Sequence, residues 1–221
     1  MARVTLPRHE QRQQTRVKLV DAALRIFGEQ GYDHATVEEI SIAAGHSKGA
    51  YYFYFDSKED IFLELVSTWI DEQTRRLRVF ETAKGPAAVA LIETLESFIR
   101  YDDREPHWQL LLPEMWAQSH RSQNVRKALQ AAYSCWIELL QHVFAAANRE
   151  GLVSLSVRAD VAASLVLAAH DGLTLRSRIR SPAETELRVS QVVSALVSLI
   201  APPENNPTIP PTLKRTARQR A

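Results

Sequence analysis

Thr36 to Lys58 reads TVEEISIAAGHSKGAYYFYFDSK, a stretch that resolves into two short helices separated by a glycine turn. Thr36 with Glu39 three positions on makes a capping box, in which hydroxyl and carboxylate take up backbone donors that a helix start leaves orphaned. A helix is therefore predicted from near Val37. Val37, Ile40 and Ala44 recur at helical spacing and face a small core, while Glu38, Glu39 and Ser41 are expected to point away. Gly45 ends that helix, since glycine adopts the left-handed conformation a helix terminus often needs. Ser47 is a good N-cap for a second helix, and Asp56 with Ser57 caps a third that starts at Lys58. The middle helix is too short to be stable alone. Its natural use is as the second element of a helix-turn-helix, whose N-terminal residues reach base edges in the major groove of DNA.

Outward from this stretch, an amphipathic helix with Leu19, Ala23 and Phe27 on one face precedes it and stops at Gly31-Tyr32. Over roughly residues 16 to 63 the ordered positions Thr36, Ile40, Ala44-Gly45, Ser47, Gly49, Tyr52, Phe55 and Ser57-Lys58 resemble the N-terminal DNA-binding domain of the TetR family of transcriptional regulators. Two positions depart from that pattern. His46 stands where a small aliphatic residue is usual and Tyr51 where leucine is usual, which bears on packing or operator choice. The resemblance implies phosphate contacts from Thr36, Tyr52 and Lys58, with Ser47, Lys48, Gly49 and Ala50 presented to the groove. These roles suit the chemistry: a lysine at a helix start adds charge to N–H groups that already attract anions, and a tyrosine hydroxyl can donate to phosphate. Lys48 is the candidate base contact, because lysine pairs with guanine O6 and N7. Tyr54 is open to either a phosphate or the domain core, and Phe55 is expected in the core.

Composition agrees with a regulator of ordinary globular type. The chain has 221 residues, 45% hydrophobic and 24% charged, with a formal net charge of +1. Charge is unevenly placed, because Arg3, Arg8, Arg12, Arg16 and Lys18 face only Glu10 in the N-terminal arm. That arm is either drawn to phosphate or a solvated tail. The single cysteine, Cys135, forbids an intrachain disulfide and fits a reducing cytoplasm. With no run of eighteen apolar residues and no signal-peptide core, a cytoplasmic protein without membrane association is expected.

Beyond Phe62 the periodicity remains helical, so an all-α fold is predicted: a three-helix head carrying the helix-turn-helix and a larger helical body. Helices are expected over 58–82, from Lys84-Gly85-Pro86 to Arg100, 107–118, 122–150, 160–178 and 183–201. The predicted organisation is 1–58 as arm and DNA-binding domain, 59–201 as effector-binding and dimerisation domain, and 202–221 as a disordered proline-rich, basic tail. Wide apolar stripes mark the last two helices, at Val161, Ala162, Leu165, Ala168, Ala169 and Leu173, then at Val189, Val192, Val193, Leu196 and Ile200. The resemblance implies that these helices form a four-helix bundle with a second subunit, giving a homodimer and a palindromic operator on double-stranded DNA.

The resemblance also implies a cavity for a small-molecule effector between the middle helices. Candidate lining residues are Trp69, Phe98, Tyr101, Trp108, Trp116, Trp136, His170 and Asp171, with Glu114 and Gln118 among further polar groups. Tryptophans beside an acid can hold an organic cation. Repression relieved by the effector is the family's usual mode; control by a protein partner or by abundance is the alternative. Enzymatic readings lack support. The histidines at 9, 34, 46, 107, 120, 142 and 170 have no metal-site spacing, and there is no phosphate-binding glycine loop or nucleophile elbow. No cofactor, metal or catalytic residue is expected.

Overall fold

The computed structural model describes residues 8–78, 94, 95, 98, 106–149, 151, 155–177, 191–196 and 198. Seven helices are bounded among them: α1 Arg8–Gln30, α2 Val37–Ala43, α3 Lys48–Tyr54, α4 Lys58–Leu77, α5 Pro106–Arg121, α6 Gln123–Arg149 and α7 Ala159–Ser177. Residues 94, 95, 98, 191–196 and 198 are also helical, and no strand occurs among the described residues. The all-α prediction holds. Tyr101, Val189, Ile200 and the tail 202–221 lie outside the described residues.

The described residues fall into two compact units. One comprises those up to Thr74 together with those between Tyr101 and Tyr133; the other comprises those of Arg75–Arg100 and Ser134–Ala221. In the first unit α1 packs on both α2 and α5, and α2 packs on α3. Leu19, Ala23 and Phe27 of α1 are fully buried, as their spacing predicts, with Ile40, Ile61, Phe62, Leu111 and Met115. Phe27, Tyr32 and Phe62 form an aromatic knot with ring centroids 4.8 to 5.4 Å apart. Gly28 permits close approach of α5, since a Cβ there would lie 3.2 Å from Leu110.

The second unit buries Trp136, Leu140, Phe144, Ala162, Ala163, Val166, Leu167, Val193 and Leu196. Helix α7 is apolar on more than one side: Val161, Leu165 and Leu175 are exposed while Ala162, Val166 and Leu167 are buried. The stripe read from the sequence therefore divides into an inner and an outer face. No helix of the described residues is long and apolar enough to cross a membrane.

Candidate nucleic-acid interface

The helix-turn-helix is built by the caps its sequence announces. Thr36, extended at φ −117° and ψ 152°, accepts from the Glu39 amide at 3.1 Å, and Glu39 accepts from the Thr36 amide at 2.9 Å. Ile40 is fully buried, but Ser41, expected to point outward, is buried too. The hydroxyl of Ser41 donates to the Val37 carbonyl at 2.6 Å, so the helix backbone satisfies it and lets it enter the core. Gly45 takes φ +74°, and its amide donates to the Ile42 carbonyl at 2.9 Å. The His46 amide then closes onto the Ser41 carbonyl at 2.9 Å. This turn reverses the chain in a conformation that a side chain at residue 45 would strain.

Ser47 caps α3 by accepting from the Ala50 amide at 3.2 Å. With seven residues, α3 depends on that cap and on its buried side. Tyr51 fills the buried side, and its hydroxyl donates to the Ser57 carbonyl at 2.9 Å. Tyrosine in place of the usual leucine thus ties the end of α3 to the start of α4. Burial, with Asp60 adding to it, pushes the Tyr51 phenol well above its ordinary range. Phe55 is buried as expected. The other departure from the pattern, His46, is half-buried, and its Nε2 has no hydrogen-bond partner among the described residues.

The outer surface of α3 carries Lys48, Gly49, Tyr52 and Phe53 exposed, with Ala50 and Tyr54 half-buried. Thr36 and Ser47 are also exposed, so every residue proposed for DNA on α3 or at the caps reaches solvent at least in part. Lys58 is placed differently. Its ammonium donates to the carbonyls of Tyr32 at 2.7 Å, Ala35 at 3.0 Å and Asp33 at 3.3 Å, and lies 4.4 Å above the Tyr32 ring. The start of α4 is thereby clasped to the loop that leads into α2.

The same loop is held from α5. Glu114 accepts from the Tyr32 amide at 2.8 Å, beside Gly31 at φ +81°. Arg121 pairs with Asp33 and holds its carboxyl below the usual range, and Gln118 donates to Asp33 at 3.5 Å. Glu114 and Gln118, grouped by sequence with an effector cavity, here organise the loop before the helix-turn-helix. Sequence reading missed this because the partners lie 82 and 85 residues apart.

Among the effector candidates, the structure brings Phe98, Trp136, His170 and Asp171 together in the second unit. Phe98 stacks on His170 at 4.6 Å and meets Trp136 edge-on at 6.1 Å, while His170 Nδ1 lies 3.1 Å from Asp171 Oδ1. Phe98, Trp136 and His170 are buried. Trp69, Trp108 and Trp116 belong to the first unit. Of these, Trp69 is buried, Trp108 is half-buried, and Trp116 is exposed with its ring 6.0 Å from that of Tyr133. Cys135 is half-buried. Among the described residues no group of His, Cys, Asp and Glu could hold a metal.

The family model for bacterial regulatory proteins of the tetR family matches residues 19–65, covering the caps, turn and recognition helix just described. A second model, for the C-terminal part of BetI-type transcriptional repressors, matches residues 88–202. The chain belongs to the TetR family of transcriptional regulators. A TetR-family chain is a DNA-binding helix-turn-helix protein and not an enzyme. A relative in Bacillus subtilis strain 168, the HTH-type transcriptional regulator YwcC, is 26% identical over 182 residues, which are 76% of this chain and 78% of its own. The fold is similar to that of a regulator from Saccharomonospora viridis in complex with choline (TM-score 0.73, 18% identity, 84% of this chain and 96% of that one). It is also similar to FadR from Bacillus subtilis in complex with stearoyl-CoA (TM-score 0.70, 19% identity, 83% and 98%).

Proposed function

We propose that this TetR-family regulator acts as a homodimer on a palindromic operator, as a repressor, and is released when a small molecule occupies its helical body. The observation that carries the DNA half is the Ser47-capped α3, which follows the Gly45 turn and presents Lys48, Gly49 and Tyr52 to solvent. In this reading Lys48 meets a base edge, Ser47, Gly49 and Ala50 approach the groove, and Thr36 and Tyr52 meet phosphates. Tyr54 and Lys58 are the weaker members of the set. Tyr54 is half-buried, and Lys58 reaches phosphate only by sharing its ammonium with the carbonyls it already serves. The division into 1–58, 59–201 and 202–221 belongs to the same proposal.

The exposed face of α7, with Val161, Leu165 and Leu175, supplies an apolar surface suited to a second copy. For the effector, Phe98, Trp136, His170 and Asp171 combine aromatic faces with a carboxylate, a set suited to a small organic cation. The choline held by the Saccharomonospora structure supports that class, and the acyl-CoA held by FadR is the competing one. Release requires the effector to favour the state that does not fit DNA, since equal affinity for both states shifts nothing. The contacts of Glu114 and Arg121 with the loop before α2 give α5 a direct hold on the head.

Gel-shift titration on DNA from the protein's own upstream region, at two salt concentrations, tests the proposal. A salt-sensitive complex of two protomers per palindrome, lost in Lys48→Ala/Tyr52→Phe, is expected. Wild-type affinity in that folded variant would remove the site assignment. Choline-like cations and acyl-CoA are then added to the complex. Release by neither favours control through a protein partner or abundance.

A further inference from the structure

Two arginines one turn apart on α1 lie over two aromatic rings of the α3 region, and their surroundings differ. The Arg16 guanidinium sits 5.5 Å from the centroid of buried Phe55, and its Nη1 is 2.6 Å from Glu64 Oε1. Its charge is neutralised within the fold. The Arg12 guanidinium sits 5.3 Å from the centroid of Phe53, whose side is 64% exposed. Among the described residues Arg12 has no carboxylate partner, and it is exposed. Phe53 adjoins Tyr52 on the recognition helix and stands edge-on to Tyr54 at 5.0 Å.

Phe53, exposed on α3, gives its ring face to the Arg12 guanidinium. A ring face holds a guanidinium by its quadrupole while leaving the N–H edge free to donate. Guanidinium is also weakly hydrated and matches phosphate geometry in a way ammonium does not. We infer that Arg12 is a phosphate contact of the DNA complex and that Phe53 is its positioning residue, a shelf that fixes the α1 cation beside α3. The inference rests on the DNA-binding reading of α3 and extends the contact surface to a second helix. Arg16, one turn later, is the internal control: the same residue type, the same kind of ring contact, but its charge already paired.

Fluorescence anisotropy of the full-length protein on a random-sequence duplex, across a salt series, is the test. Neutralising one phosphate contact gives a slope of about 0.9 in log affinity against log salt. Arg12→Ala should therefore bind more weakly with a shallower slope, and its deficit should shrink about 3.5-fold per protomer between ~50 and ~200 mM salt. Phe53→Leu should weaken binding in the wild-type background and add little to Arg12→Ala, since it acts through that arginine. Arg16→Ala should lower the melting temperature and leave the slope unchanged. Melting curves for Arg12→Ala and Phe53→Leu, both exposed positions, should match wild type. An unchanged slope in folded Arg12→Ala overturns the phosphate contact. Equal losses from Phe53→Leu in both backgrounds overturn the positioning role and make the ring itself a DNA contact. Failure of wild-type protein to bind the duplex at the lowest salt removes the DNA-binding reading, and this inference with it.

Discussion

The two compact units share buried apolar cores and differ in the contacts added to them. The first, with α1 to α3, adds directional contacts to its buried core: a capping box, a glycine turn, a serine cap, and loop carbonyls clasped by Lys58 while Glu114 takes the Tyr32 amide. Among the described residues the second buries Trp136, Phe144 and the inner side of α7, with His170 paired to Asp171 and Arg158 to Asp160. Directional contacts make the head precise in angle, which recognition of a groove requires. Apolar packing tolerates exchange of side chains of similar volume.

Truncating the central side chain of the second unit should have the largest effect. Trp136→Ala removes a fully buried indole, and denaturant titration should show a loss of about 3–5 kcal/mol, with the helix-turn-helix signals in NMR less perturbed than those of the second unit. Equal perturbation of both units would show a single cooperative core. Glu114→Ala should cost about 1–2 kcal/mol, since it takes a charged acceptor from the partly buried Tyr32 amide. It should also uncouple any effector response from DNA release, read by repeating the gel shift with ligand. Thr36→Ala should cost about 1 kcal/mol through loss of the cap, and Thr36→Asn should recover most of it.

The alkaline limb of stability sharpens the comparison further. The folded state keeps the Tyr51 phenol protonated above the pH at which an unfolded tyrosine ionises, so its contribution is complete below pH 10.0 and falls as pH rises beyond it. Tyr51→Phe should flatten that decline while losing the bond to Ser57, visible as smaller differences between chemical melts on either side of pH 10.0. The smallest effect is expected from Arg121→Ala. The Asp33 carboxyl is held low by this exposed pair, so its contribution is present above pH 3.8 and lost on acidification. A shift in melting temperature near neutral pH larger than that of Thr36→Ala would show that the loop clasp outweighs the caps.

The caps and turn were legible because their partners are near neighbours in the chain. Thr36–Glu39, Ser47–Ala50 and Gly45 act within a few residues, where backbone geometry leaves few alternatives. Leu19, Ala23 and Phe27 were legible for the same reason, as one face of one helix. Ser41 was misplaced because a serine in a helix satisfies its hydroxyl on the preceding turn, and nothing in its residue type announces this. Glu114 and Gln118 were grouped with the effector residues because a polar group on an amphipathic helix does not declare which neighbour it meets. The apolar stripe of α7 was visible, but its division into a buried face and an exposed face was not.

The sequence by itself determined the all-α class, the helix-turn-helix and the identity of the residues that cap it, because those depend on local backbone chemistry and on periodicity. Only the tertiary structure decided which charges remain available. Arg12 and Arg16 are indistinguishable in the sequence, yet one faces Glu64 and the other an exposed ring. Lys58 looks free at a helix start, yet three loop carbonyls surround it. A side chain's charge is set by its type, whereas what the charge does depends on the groups that long-range folding brings within a few ångströms of it.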